Sequence, residues 1–219
     1  MDFKRLNTFL TSLSKNNSKV WFDENRTEYE LLRVSWIEFI DELLMDLQKF
    51  DSGLNGLEAK KCIFRINKDV RFSKDKSPYK TNFGAIMNSG GKKEMFSGYY
   101  FHFDPKEIFI AGGAYQPSPE LLSNLRQEID YNLNEFKSIL ENKNLVKRFG
   151  NLQGEKLVRP PKGYELDNPA IEYLKFKSFI LVQNFKLSDL TQSNFNKELL
   201  KSYEALKPFN DFINRCLTN

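Results

Sequence analysis

Between Lys60 and Lys80 the chain reads KKCIFRINKDVRFSKDKSPYK, and the side chains best suited to hold an anion are gathered there. Arg65, Lys68, Arg71, Lys74, Lys76 and Lys80 alternate with turn residues and with two carboxylates, Asp69 and Asp75. A guanidinium meets phosphate or carboxylate through a planar fork of donors, and an ammonium does so as a mobile point charge. Arg65, Arg71, Lys74 and Lys80 are therefore candidate ligand-binding residues, with Arg159 and Lys162 of a later Arg-Pro-Pro-Lys-Gly loop placed at the rim. Eight Lys or Arg stand against two Asp from Lys60 to Lys80, a local +6 in a chain of net charge +4, so the remainder carries −2. The opposing reading is a solvated loop in which Asp69 pairs with Arg71 or Lys68, and Asp75 with a neighbouring lysine. Surface pairs of that kind contribute only ~0–1 kcal/mol each.

The single histidine, His102, is the second candidate. In Tyr99–Asp104 successive side chains alternate, so Phe101 and Phe103 face one way while Tyr100, His102 and Asp104 face the other. Imidazole exchanges protons near neutral pH, which makes His102 the candidate catalytic residue and Tyr100 a candidate ligand contact. A histidine satisfied by a carbonyl or carboxylate is the structural alternative. Together the basic loop and the polar face of this strand would make a pocket for a small, phosphorylated anion. Two other classes stay open. Phe72 and Tyr79, if exposed among Arg71, Lys74, Lys76 and Lys80, would suit a single-stranded nucleic acid. A structural or interaction protein would use the loop as an ion-pair network or to dock an acidic partner.

Other chemistries lack their signatures. There is no phosphate loop and no glycine-rich dinucleotide fingerprint. One histidine and two unpaired cysteines exclude ordinary structural zinc, and no cofactor is implied; a carboxylate-only magnesium site stays open. Ser73-Lys74-Asp75-Lys76 matches a Ser-x-x-Lys pattern, but in a loop before Pro78 rather than at a helix start.

The elements that must position these residues are legible from periodicity. Phe3, Leu6, Phe9, Leu10 and Leu13 describe a first amphipathic helix, and Tyr29, Leu32, Trp36, Phe39, Ile40, Leu43, Leu44 and Leu47 a long one over Thr27–Lys49. Strands are expected at Lys61–Ile66, Phe83–Met87, Gly98–Asp104, Glu107–Ala111 and Lys177–Phe185. Pro105-Lys106 forms a tight hairpin turn, while Gly112-Gly113 breaks the pattern. Ser118-Pro119 opens a helix, further turns follow through Phe149, and Asn168-Pro169 begins a short helix through Leu174. A last helix spans Asn194–Leu217, kinked or split at Pro208. The expectation is an α+β fold, a mainly antiparallel central sheet covered by helices, with long helices near both ends. Residues 1–219 are expected to form a single domain.

Twenty Phe and nine Tyr in 219 residues, with 28% charged residues, describe a folded chain with an aromatic core. Cys62 and Cys216 fit small buried hydrophobes in a reducing compartment, and no targeting or membrane-spanning segment is visible, so a cytoplasmic location is expected.

Asn16–Tyr29, Phe64–Thr81, Gly98–His102, Gly112-Gly113 with Pro117, and Arg159–Gly163 occur in this order. Together they resemble the bacterial family known as domain of unknown function 2461, from about Phe9 to near the C-terminus. The resemblance implies a cytoplasmic single-domain protein with no assigned reaction. Its motif includes Arg65, Asp69, Arg71, Phe72, Ser73, Lys74, Asp75, Pro78, Tyr79, Lys80 and His102. Asn168 departs from it, standing before Pro169 where members often carry histidine. So dense a motif asks for a ligand site or a fixed polar network, since a plain connection needs only turn residues.

Overall fold

A computed structural model describes residues 1–71, 74–93 and 96–216. Three helices lead the chain, α1 (Phe3–Lys15), α2 (Lys19–Glu24) and α3 (Arg26–Leu47), followed by a single turn, α4 (Ala59–Cys62). The sheet then begins with β1 (Phe83–Met87), β2 (Tyr99–Asp104) and β3 (Glu107–Ala114). Helices α5 (Pro119–Tyr131), α6 (Leu133–Leu140), α7 (Lys143–Phe149) and α8 (Ile171–Leu174) lead to β4 (Phe179–Phe185). The chain closes with α9 (Leu187–Leu190) and α10 (Phe195–Arg215).

The four strands form one antiparallel sheet in the order β1-β2-β3-β4. The Pro105-Lys106 hairpin forms as expected, with Asp104 opposite Glu107 and the Lys106 N–H donating to Asp104 Oδ1 at 2.9 Å. Alternation along β2 sets its two faces. Phe101 and Phe103 are fully buried, and His102 is only part-buried. Phe101 packs edge-on against Trp36 and Phe39 of α3 and Phe195 of α10, while Phe3 of α1 stacks on Phe103 at 5.6 Å. The long helices α3 and α10 thus cover one sheet face, α3 with the stripe its sequence predicts. α10 runs unbroken through Pro208, so the proline does not split it. Both cysteines are buried and unpaired, and burial pushes their thiols up to about 12 for Cys62 and about 11 for Cys216.

Three boundaries differ from expectation. Lys61–Ile66 is not a strand. Ala59–Cys62 turns helically because Asp41 of α3 accepts from the Ala59 N–H at 3.0 Å, capping a run of good helix formers. Only a bridge from Ile63 to Ala85 and a bond from the Phe64 N–H to the Gly84 carbonyl join this segment to β1. β3 continues through Gly112-Gly113, because the absence of side chains there admits a close approach of other groups. β4 begins at Phe179, since the Lys177 N–H turns aside to the Glu155 carbonyl at 2.7 Å.

Candidate functional site

Beside β1 the segment after α4 folds back over the part-buried sheet face and leaves a pocket of about 500 Å³. Phe64, Lys68, Asp69 and Lys80 line it from the basic segment, with Asn82, Gly84 and Tyr100 from the sheet side. The segment is held by paired backbone bonds at its neck: the Lys68 N–H donates to the Pro78 carbonyl at 2.9 Å and the Lys80 N–H to the Ile66 carbonyl at 2.7 Å. Tyr79 between them is buried and stacks on Phe22 with ring centroids 3.9 Å apart, and Asn17 receives its N–H at 3.1 Å. The expectation of an exposed Tyr79 is therefore corrected. Its ring anchors the loop to α2 and is closed to bases. Phe72, its proposed stacking companion, and Ser73 of the Ser-x-x-Lys pattern lie outside the described residues.

The cations of this segment divide by partner. Arg71 meets Asp69 through both guanidinium arms, Nε to Oδ1 at 2.9 Å and Nη2 to Oδ2 at 2.6 Å, and this holds the Asp69 carboxyl below its ordinary range. Lys68 donates to Asp75 at 2.6 Å and to Ser77 Oγ at 2.7 Å, and the Asp75 carboxyl is held well below the usual carboxylate range. These are the pairs a structural network would use. Lys80 stands apart. Its ammonium lies 5.5 Å from the Phe64 ring centroid and has no carboxylate partner among the described residues. Burial, and then the charge of Arg65, lower its pKa. Arg65 is exposed, and its charge is felt by both Lys80 and Asp69. Arg65, Arg71 and Lys74 are exposed and do not line the pocket.

On β2, Tyr100 reaches the pocket and His102 sits behind it. Tyr100 Oη lies 2.9 Å from His102 Nδ1, with Asn82 Nδ2 at 3.4 Å from the same nitrogen. An amide N–H can only donate, so the Asn82 contact fits a neutral ring that accepts at Nδ1 and carries its proton on Nε2, and with that tautomer the Tyr100 hydroxyl donates to the same nitrogen. Nε2 is 3.9 Å from Glu107 Oε1, and the ring stacks on Phe109 at 4.6 Å. Burial raises the Tyr100 phenol to about 12, with Glu107 adding to it. The pair is therefore a protonated phenol donating to a neutral imidazole near pH 7.

Burial lowers the His102 pKa, with Glu107 and Asp104 opposing it. A histidine whose folded pKa lies below the unfolded ~6.5 takes up its proton first in the unfolded chain. Its contribution to stability is complete above the unfolded pKa and is lost as pH falls toward the folded one. Wild type is thus expected to lose more thermal stability than His102→Gln between about pH 7.5 and about pH 5. Parallel melting-temperature profiles would show that the folded ring protonates as readily as the unfolded one.

Arg159 and Lys162 are not brought to this pocket. Their loop attaches along β4, where Gln153 pairs with Ile180 and the Leu157 N–H donates to the Lys175 carbonyl, at the sheet edge opposite β1. Asn168 bridges Asp130 and the Ala170 N–H at 2.8 and 2.7 Å, a local turn away from the pocket lining. The sequence-based site did not include Phe64, Lys68, Asp69, Asn82 or Gly84. Gly84 on β1 stands opposite His102 of β2, and Asn82 immediately precedes β1, placements that only strand pairing reveals. A β-carbon at Gly84 would lie 2.9 Å from Tyr100 Oη, so glycine there lets the phenol lie across β1.

Among the described residues, no helix is long and apolar enough to cross a membrane, and no three His, Cys, Asp or Glu side chains gather as metal ligands would. No curated protein and no solved structure matches the chain. A family model does, over residues 5–212, spanning every element from α1 into α10 and with it both the basic loop and the Tyr100–His102 pair; the chain belongs to the conserved hypothetical protein family DUF2461.

Proposed function

We propose that this pocket binds a small anionic ligand, of the phosphorylated kind, with Lys80 holding the anion, the charge of Arg65 reinforcing it from outside the lining, and Tyr100 contacting the adjoining polar group. The observation that carries this reading is Lys80: a part-buried ammonium with no carboxylate within 4 Å among the described residues and the charge of Arg65 acting on it. Such a group is destabilised in the empty protein, and an anion relieves both its desolvation and its repulsion from Arg65. Asp69 and Asp75 are already engaged by Arg71 and Lys68, so neither supplies that counter-charge. His102 is the proton acceptor of the site, linked to the ligand through the Tyr100 hydroxyl.

Lys80→Met keeps the aliphatic stem over Phe64 and removes the charge. A charge-assisted hydrogen bond is worth about 1.5–3 kcal/mol, so the variant should bind glycerol phosphate roughly 10- to 100-fold more weakly by titration calorimetry. Unliganded melting serves as the control for folding. Equal affinity in wild type and variant would remove Lys80 from the site.

Salt dependence separates this reading from a nucleic-acid surface. A pocket taking one phosphate releases few counterions and gives a shallow slope, whereas a single-strand track loses about 0.7 in log affinity per log salt for each phosphate contact. The buried Tyr79 and the carboxylates that punctuate the loop favour the shallow case. A steep slope with an oligonucleotide would transfer the function to the nucleic-acid class.

A further inference from the structure

We infer that the anion this pocket takes is carried on a planar aromatic ring, so that the ligand is an aryl phosphate and not an aliphatic one; the inference rests on the anion reading above. The Lys80 ammonium sits against the Phe64 ring, 5.5 Å from its centroid. A group attached to an anion held there is within reach of the same ring. Phe64 is 41% exposed, large for a phenylalanine at the mouth of a pocket. A scattered exposed ring needs no explanation, but one paired with a charged group that has no counter-ion among the described residues is placed to be covered.

The neighbouring ring continues that aromatic surface. The Tyr100 ring stands at 72° to Phe64 with centroids 6.3 Å apart, and Phe109 continues the aromatic surface 5.8 Å beyond Tyr100. The two rings meet edge to face beside Gly84, where a β-carbon would lie 3.4 Å from the Phe64 ring and closer still to Tyr100 Oη, so they form one closed aromatic surface. A flat group can lie over that surface, against the exposed part of Phe64. A polyol phosphate would need several hydrogen-bonding partners along the same surface. Of the polar lining groups other than Lys80, Lys68 is engaged by Asp75 and Ser77 and Asp69 by Arg71, which leaves the Asn82 amide and a Tyr100 hydroxyl already directed to His102. Ring faces attract aromatic groups edge-on or offset, so the lining selects a ring over a polyol.

The test is calorimetric titration of the full chain with inorganic phosphate, glycerol phosphate and phenyl phosphate. Phenyl phosphate is expected to bind at least about tenfold more tightly than glycerol phosphate. Phe64→Ala should bring the two affinities toward parity, and Phe64→Leu, which keeps bulk without a ring face, should do the same. Equal affinities for the two esters in wild type would overturn the aromatic assignment while leaving the anion site standing. A preference that survives both Phe64 variants would overturn it as well. Absence of binding by all three probes would overturn the anion site itself.

Discussion

Gly113→Ala is expected to cost the fold about 4 kcal/mol or more and to leave little folded protein. Gly113 lies in β3 with φ +111°, a backbone conformation that side-chain-bearing residues rarely adopt. A β-carbon there would stand 2.0 Å from the Phe179 carbonyl and 2.9 Å from the Phe209 ring. The first of these is backbone on the paired strand, so it cannot yield without breaking the register that sets Gly113 opposite Ile180 and Ala114 opposite Phe179. The second belongs to the core under α10. Gly150→Ala is the matched control, because Gly150 also has a positive φ, +66°, yet has nothing within 4 Å of its would-be β-carbon. It should lose only about 1–3 kcal/mol by chemical denaturation, the cost of the backbone conformation without a clash. Equal denaturation midpoints for the two variants would show that β3 and β4 slide apart freely, against the close approach described above.

That glycine also marks where sequence reading stops. The Gly112-Gly113 pair reads as a break, since glycine punctuates strands far more often than it is demanded by a neighbour 66 residues away in the chain. Features encoded locally were legible. The alternation of β2 placed Phe101 and Phe103 in the core and Tyr100 with His102 on the other face, and the spacing in α3 named the buried stripe residue by residue. What long-range contacts decide was not. The Asp41 carboxylate that caps the Ala59 turn lies 18 residues upstream, so Lys61–Ile66 looked like a strand. Tyr79 looked exposed beside its lysines until Phe22 of α2 was packed against it. The basic segment could be named as the candidate site, but which of its cations lack partners could not. Every Lys and Arg there is within reach of an aspartate in sequence, and only the folded loop commits Arg71 to Asp69 and Lys68 to Asp75.

The strand that carries Tyr100 and His102 is itself held from beneath by polar groups of α10, and Asn210 is the centre of that attachment. Its Oδ1 accepts from Ser97 Oγ at 2.7 Å and from the Gly113 N–H at 3.1 Å, and its Nδ2 donates to the Gly98 carbonyl at 3.1 Å. Asn214 adds a reciprocal pair to the Ser97 backbone, and Tyr203 donates to the Tyr100 carbonyl at 3.1 Å. Asn210 is almost wholly buried, so Asn210→Leu leaves the Gly98 carbonyl without its donor and the Ser97 hydroxyl without its acceptor. With each orphaned buried group costing about 1–3 kcal/mol, a loss of roughly 3 kcal/mol in unfolding free energy is expected. Asn210→Asp distinguishes lost hydrogen bonds from lost packing, because it keeps the shape and both acceptor contacts. As a carboxylate it cannot donate to Gly98 and places a charge in the core, so burial raises its folded pKa above the unfolded value. The folded state then takes up the proton first as pH falls, and protonation returns the missing donor. The deficit of Asn210→Asp relative to wild type should therefore shrink between about pH 7 and about pH 5, while that of Asn210→Leu stays constant. A pH-independent deficit in both, or none in Asn210→Leu, would mean that the start of β2 is held by its apolar neighbours alone.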